Sequence, residues 1–189
     1  MSKLPKIKMA ATSVAALIAA GSTAQAQENW DGFYVGISAG NANGFLGDES
    51  TSPDYDIDSG VVTGLFGGHN WAVGSGNTIV GFEVAVQAND ISSPDYKLSN
   101  VIDLKARLGQ SFGRTLVYGF AGYSTGSLLD EDEDVSYTSS GGNFGLGVEY
   151  KVNDRFSVGA EVMRRNLDSV GYYGSGEINT ASFRAALRF

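Results

Sequence analysis

The sequence contains no cysteine, which excludes a disulfide framework, a thiolate metal site, a cysteine nucleophile and a lipidated N-terminal cysteine. An imidazole base is available at one place only, His69. There is no phosphate-cradling glycine loop, so that sign of phosphoryl chemistry is missing. The two Gly-x-Ser-x-Gly stretches, Gly36 to Gly40 and Gly122 to Gly126, lie inside strand segments and not at the strand-to-helix turn of a nucleophile elbow. Beyond residue 26 no stretch is apolar enough for a membrane helix, which takes about 20 such residues. Positive charge is scarce as well. Removing residues 1–26 takes away three lysines and no acids, leaving 10 basic residues against 21 acidic ones and a formal net charge of −11. Such a chain repels nucleic acid and anionic lipid unless its basic residues are segregated, and no nucleic-acid partner is expected.

The N-terminus carries an export signal. Lys3, Lys6 and Lys8 form a basic region, Met9 to Ala20 an apolar one, and Ala24-Gln25-Ala26 a small-residue cleavage site, the three parts of a signal peptide. Residues 1–26 are therefore expected to be cleaved, leaving one domain over 27–189. With 26 glycines and 42% apolar residues spread without long runs, that domain reads as all-β. Its destination is the periplasm or the outer membrane.

From Trp30 onward, segments of about ten residues alternate with a period of two, the pattern of barrel strands. In 79–89, Val80, Phe82, Val84, Val86 and Ala88 oppose Glu83 and Gln87. In 100–112, Ile102, Leu104, Ala106 and Leu108 oppose Asp103, Lys105 and Arg107. In 143–152, Phe144, Leu146, Val148 and Tyr150 oppose Asn143, Glu149 and Lys151. In 156–165, Phe156, Val158, Ala160 and Val162 oppose Ser157, Glu161 and Arg165. The last segment sets Ala181, Phe183, Ala185, Leu187 and Phe189 against Ser182, Arg184 and Arg188. Three further segments are assigned by spacing as much as by pattern: 33–43, the glycine-rich 61–72, and 116–126, which is apolar on both faces.

The connections alternate between long (44–60, 90–98, 127–140, 167–176) and short (Val73 to Thr78, Gly113 to Thr115, Asn153 to Asp154). Eight antiparallel strands in up-and-down order follow, with both termini on the short-turn side, which in an outer-membrane barrel is periplasmic. Trp30, Phe33, Trp71, Phe112, Tyr118, Tyr150, Phe156 and Phe189 fall at that end and are expected to form an aromatic girdle at the membrane interface. Alternation alone does not say which face is inside. Strand length, clustered aromatics and an apolar-phase terminal Phe favour a transmembrane barrel over a water-soluble, lipocalin-like one.

With the apolar stripes facing lipid, the inward stripes collect Glu83, Asp103, Glu149 and Glu161 with Lys105, Arg107, Lys151, Arg165, Arg184 and Arg188. Eight strands enclose little more than their own side chains. An isolated buried charge costs several kcal/mol, so these residues must pair or stay wet. The matching depths of Glu83 with Arg107, and of Glu161 with Arg184, predict two of the pairs. The expected lumen is closed by ion pairs and water.

The sequences Trp30-Asp31-Gly32-Phe33-Tyr34-Val35-Gly36, Gly68-His69-Asn70-Trp71 and Leu187-Arg188-Phe189 together resemble the porin family, or OmpA-like outer-membrane β-barrel domain, of proteobacteria. The resemblance covers 27–189. It implies a small surface barrel in the outer membrane of a Gram-negative cell, with outer-membrane lipids, lipopolysaccharide and, during biogenesis, the barrel-assembly machinery as partners. Phe189, with Phe183, Ala185 and Leu187 in phase, resembles the signal that machinery recognises. His69 stands where the family often has Tyr, and nothing after Phe189 resembles a peptidoglycan-binding domain.

Catalysis is not expected. Some small outer-membrane barrels use Ser and His with an acid on lipid A, but His69 lies near the periplasmic girdle, away from that leaflet, and a general base needs a nucleophile and an orienting group within hydrogen-bond reach. The long connections hold 13 acidic residues against one basic residue, Lys97. Within the run 130–134, Asp130, Asp132 and Asp134 are candidates for divalent-cation binding, although Val135 and Gly141 replace the glycine and glutamate of an EF-hand loop. Arg164, in the lipid phase near the outer rim, is a candidate for lipid headgroups such as lipopolysaccharide phosphate. The function expected is that of a non-enzymatic, cofactor-free, monomeric barrel serving envelope integrity. The alternatives are a narrow channel for ions or small solutes and an adhesin acting through its acidic loops.

Overall fold

The computed structural model of the protein describes residues 29–47, 55–89, 92–93, 96–130, 135–170 and 173–189. They form β1 (Gly32–Gly47), β2 (Tyr55–Val73), β3 (Thr78–Asn89), β4 (Ser92–Ser93), β5 (Tyr96–Phe112), β6 (Thr115–Asp130), β7 (Val135–Lys151), β8 (Phe156–Val170) and β9 (Tyr173–Arg188). Each long strand pairs antiparallel with its chain neighbours. β3 pairs with β5 and β1 pairs with β9, so eight long strands close on themselves. β4 is a two-residue piece folded back on the start of β5. A closed ring leaves no strand edge unpaired, which is what the hydrocarbon of a bilayer requires.

The side chains sort as the alternation predicts. Phe82, Val84, Val86, Ile102, Leu104, Leu108, Phe144, Leu146, Val162, Phe183 and Leu187 point outward and are exposed, while Glu83, Asp103, Lys105, Arg107, Glu149, Lys151, Glu161, Arg165, Arg184 and Arg188 are buried inside. This is the reverse of a water-soluble barrel, and it excludes the lipocalin-like alternative.

Three short turns join strands at the end that carries both described termini: 74–77, 113–114 and 152–155. Gly113 opens the β5–β6 turn with φ +57°, a conformation that costs glycine little and other residues more.

One expectation needs correction here. The long connections are shorter than predicted, because strand pairing continues past the apolar band: Leu46 still pairs with Tyr55, and Asp130 with Val135. Ladder hydrogen bonds do not depend on which face is apolar, so hydrophobic alternation stops before the strands do. The segment apolar on both faces, now within β6, owes its pattern to the lumen. Leu116, Tyr118 and Phe120 point inward and pack with Trp30, Ile79 and Met163. A second inner cluster joins Tyr34, Phe66, Ala85 and Ala186.

The inner rings lie over glycines on the paired strand. Tyr34 pairs with Gly68, Phe66 with Gly36, Phe120 with Gly145 and Tyr118 with Gly147. A Cβ on Gly147 would stand 2.2 Å from Cζ of Tyr118, and one on Gly145 would stand 2.5 Å from Cζ of Phe120. The missing side chains make room for the rings inside a narrow barrel.

Candidate functional site

The inward stripes converge on a charged network in the middle of the lumen. β3 supplies Glu83, β5 supplies Lys105 and Arg107, β7 supplies Glu149, β8 supplies Glu161 and β9 supplies Arg184 and Arg188. Glu83, wholly buried, accepts from Lys105 Nζ at 3.3 Å, Arg107 Nη1 at 3.2 Å and Arg184 Nη2 at 2.5 Å. Glu161 accepts from Lys105 Nζ and Arg184 Nη1, each at 2.5 Å. Glu149 bridges Arg107 Nη2 and Arg188 Nη2, also at 2.5 Å each. Both predicted pairs are present, and each acid serves more than one base.

Aromatic side chains complete the network. The Tyr34 hydroxyl donates to Glu83 Oε2 at 3.0 Å, and that of Tyr118 to Glu161 Oε2 at 2.9 Å. The guanidinium groups of Arg107 and Arg184 lie 3.8 Å and 3.7 Å from the ring centres of Tyr118 and Phe66. Cations stacked on ring faces gain electrostatically, and here the same rings screen the charges from bulk water.

Nearer the long-loop end a second cluster is centred on Arg165. It binds Asp103 through Nε at 2.9 Å and Nη2 at 2.7 Å, the forked geometry that makes Arg–carboxylate pairs strong. It also donates to Thr180 Oγ1 at 2.9 Å and Gln87 Oε1 at 2.6 Å. Ser124 donates to Asp103, and Asn143 to Ser124.

Nearer the short-turn end, Lys151 Nζ donates to the carbonyl of Asn29 and lies over the ring of Trp30. Trp30 itself corrects the expected girdle. It is wholly buried, inside the mouth rather than on the lipid face, as is Tyr118. The indole fills a space lined by Ile79 and Leu116, whereas a position on the outer face would leave it exposed. Trp71, Phe112 and Tyr150 do point outward at this end, and Phe33 and Phe189 are 62% and 78% exposed. Phe156 is partly exposed. Phe189 is tied to the seam by its N–H, which donates to the Phe33 carbonyl at 2.9 Å.

His69 also faces outward, its ring edge-on to Phe33 at 4.3 Å and tilted against Trp71 at 4.5 Å, and its Nδ1 has no hydrogen-bond partner. Arg164 is half exposed on the outer face and paired with Glu177. Asp132 and Asp134 lie outside the described residues, as does the side chain of Asp130. Among the described residues no three His, Asp or Glu side chains converge as a metal site.

Sequence reasoning missed Tyr34, Tyr118, Gln87, Ser124, Asn143 and Thr180 as members of the lumen network. Their inward phase was the available signal, but only full charges were counted.

A closed eight-stranded ring with lipid-type side chains outside and salt bridges inside is an outer-membrane architecture. Residues 12–189 match the outer membrane protein beta-barrel domain. The chain belongs to that family. This outer-membrane barrel protein is also similar to the 31 kDa outer-membrane immunogenic protein of Brucella melitensis, at 26% identity over 201 residues covering 85% of this chain and 83% of the relative. Among solved structures it resembles Neisserial surface protein A, with TM-score 0.62 and 16% identity over 83% of this chain and 97% of that one. It also resembles Ail, the attachment invasion locus protein of Yersinia pestis, with TM-score 0.52 and 14% identity over 84% of this chain and 99% of that one. At these identities the solved structures speak for the fold.

Proposed function

We propose that this outer-membrane barrel is a non-enzymatic structural protein that supports the integrity of the envelope and presents its long hairpins at the cell surface, with a lumen closed to free diffusion. The observation that carries the closed lumen is the sharing of Glu83, wholly buried, among Lys105, Arg107 and Arg184. Opening a water-filled path means separating paired charges whose attraction is strongest where water is excluded. The test is single-channel recording of the purified protein in planar bilayers. Brief, small openings or silence are expected, and a large, stable conductance overturns the reading in favour of the channel alternative.

Both termini are assigned to the periplasm, after removal of residues 1–26. Added protease is expected to cut intact cells only within the long hairpins. Phe189 and the outward phase of β9 support recognition by the barrel-assembly machinery. Arg164 is the proposed contact for lipopolysaccharide headgroups. Because Glu177 already neutralises its charge, the expected contribution is modest. Titration with lipid A should be weakened no more than severalfold by Arg164→Ala, and an unchanged titration removes Arg164 from the contact.

A further inference from the structure

We propose that residues 29–31 form a strap across the short-turn mouth of the barrel, with the Trp30 side chain as the stopper that seals the lumen there. Trp30 precedes β1 and belongs to no strand, yet it is wholly buried. Its indole N–H donates to the carbonyl of Gly113, in the β5–β6 turn, at 3.1 Å. Its ring lies 4.4 Å from the guanidinium of Arg188 on β9 and 5.1 Å from the ammonium of Lys151 on β7, and it packs on Ile79 of β3 and Leu116 of β6. The residue thus touches elements all around the mouth.

The flanking residues hold the strap from both sides. The Asn29 carbonyl accepts from Lys151 Nζ. Asp31 Oδ2 accepts from the backbone N–H of Ala72 on β2 at 3.0 Å, while the Asp31 N–H donates to Asn29 Oδ1 at 2.9 Å. The chain then enters β1 through Gly32, whose φ of +117° is open to glycine and strained for other residues. A Cβ there would stand 2.3 Å from the carbonyl oxygen of Phe189. Gly32 therefore allows the chain to turn from the ladder into the mouth.

Trp71 shows what an interface tryptophan looks like in this barrel, with 46% of its surface exposed on the outer face. Trp30 instead covers the two cations nearest this end, Lys151 and Arg188, the second of which donates to Ser157. The strap's attachments are side-chain hydrogen bonds, cation–π contacts and the buried apolar surface of the indole. The strap can therefore leave without breaking a barrel ladder.

The inference adds a second closure to the central ion pairs and rests on the proposed closed lumen. Since the chain has no cysteine, Ser157→Cys gives a single thiol just inside the mouth, where Ser157 Oγ accepts from Arg188 Nε at 3.3 Å. Labelling of this variant in phospholipid vesicles by a small anionic methanethiosulfonate reagent is expected to be at least tenfold faster when Trp30→Ala is added. Equal rates, whether both fast or both slow, overturn the strap. They leave the central closure to be judged by the conductance of the unmodified protein.

A second measurement keeps Trp30 in place. Trp71→Phe makes it the only indole, and its fluorescence is expected to resist quenching by both acrylamide in the water and brominated lipid. Strong quenching by either places Trp30 outside the mouth and refutes the proposal, even if Trp30→Ala does not fold.

Discussion

At the scale of single residues, the lumen stands or falls on complementarity. Glu83 is surrounded by Lys105, Arg107 and Arg184, so neutralising it strands three cations with only Glu149 and Glu161 to share. Glu83→Gln is expected to destabilise the barrel by about 3–5 kcal/mol, the usual cost of removing one partner from a buried pair, measured by urea unfolding in lipid vesicles. A loss below 1 kcal/mol would mean that water, not protein, satisfies these groups. Steric fit is equally local. Gly147→Ala drives a methyl into the ring of Tyr118 and should cost about 1–3 kcal/mol, as overpacking does. The loss should largely vanish in a Tyr118→Ala background, and a double-mutant cycle reads that coupling directly. Additive effects of the two substitutions would show that the ring moves aside freely.

At the scale of strands and hairpins, legibility followed the contrast between faces. In β3, β5, β7, β8 and β9 a charged or small inner stripe opposes an apolar outer one, and period-two alternation located both the strands and their facing. β6 gave no such contrast, since Leu116, Tyr118 and Phe120 fill the lumen while Val117, Ala121 and Tyr123 face outward. The ends of the strands were hidden for another reason: above the apolar band the alternation is lost, with Phe45 beside Leu46 and Leu128 beside Leu129, yet the ladders run on to Gly47, Asp130 and Val170. The place of Trp30 was illegible because a tryptophan before a first strand has the same sequence whether it meets lipid or turns into the mouth. Only Gly32 hinted at the turn. The β6–β7 hairpin remains paired to Asp130 and Val135, so its stability should come from the ladder below the tip. Replacing 131–134 with a short Asn-Gly turn is expected to shift the unfolding midpoint by less than the equivalent of 0.5 kcal/mol. A larger loss would assign the acidic tip a structural role.

At the scale of the whole molecule, charge is divided by place: the inner stripes hold most of the basic residues of the barrel, and 13 of its acids lie in the long connections and the strand ends that border them. Attraction inside is sheltered from salt, whereas repulsion among loops is screened by it. Raising sodium chloride from about 0.1 M to 1 M should therefore change unfolding stability by less than 1 kcal/mol, and a steep fall would show that the network is open to bulk electrolyte. The seam between β1 and β9, with Tyr34 opposite Arg188, has a further consequence for how the molecule comes to exist. Seven of the eight ladders join strands adjacent in the chain, which are cheap to bring together. The eighth joins residues some 150 positions apart, so its loop-closure entropy is the largest in the fold. The hairpins can form early, but circularity cannot, and the slow kinetic phase of folding should belong to the meeting of the first strand with the last.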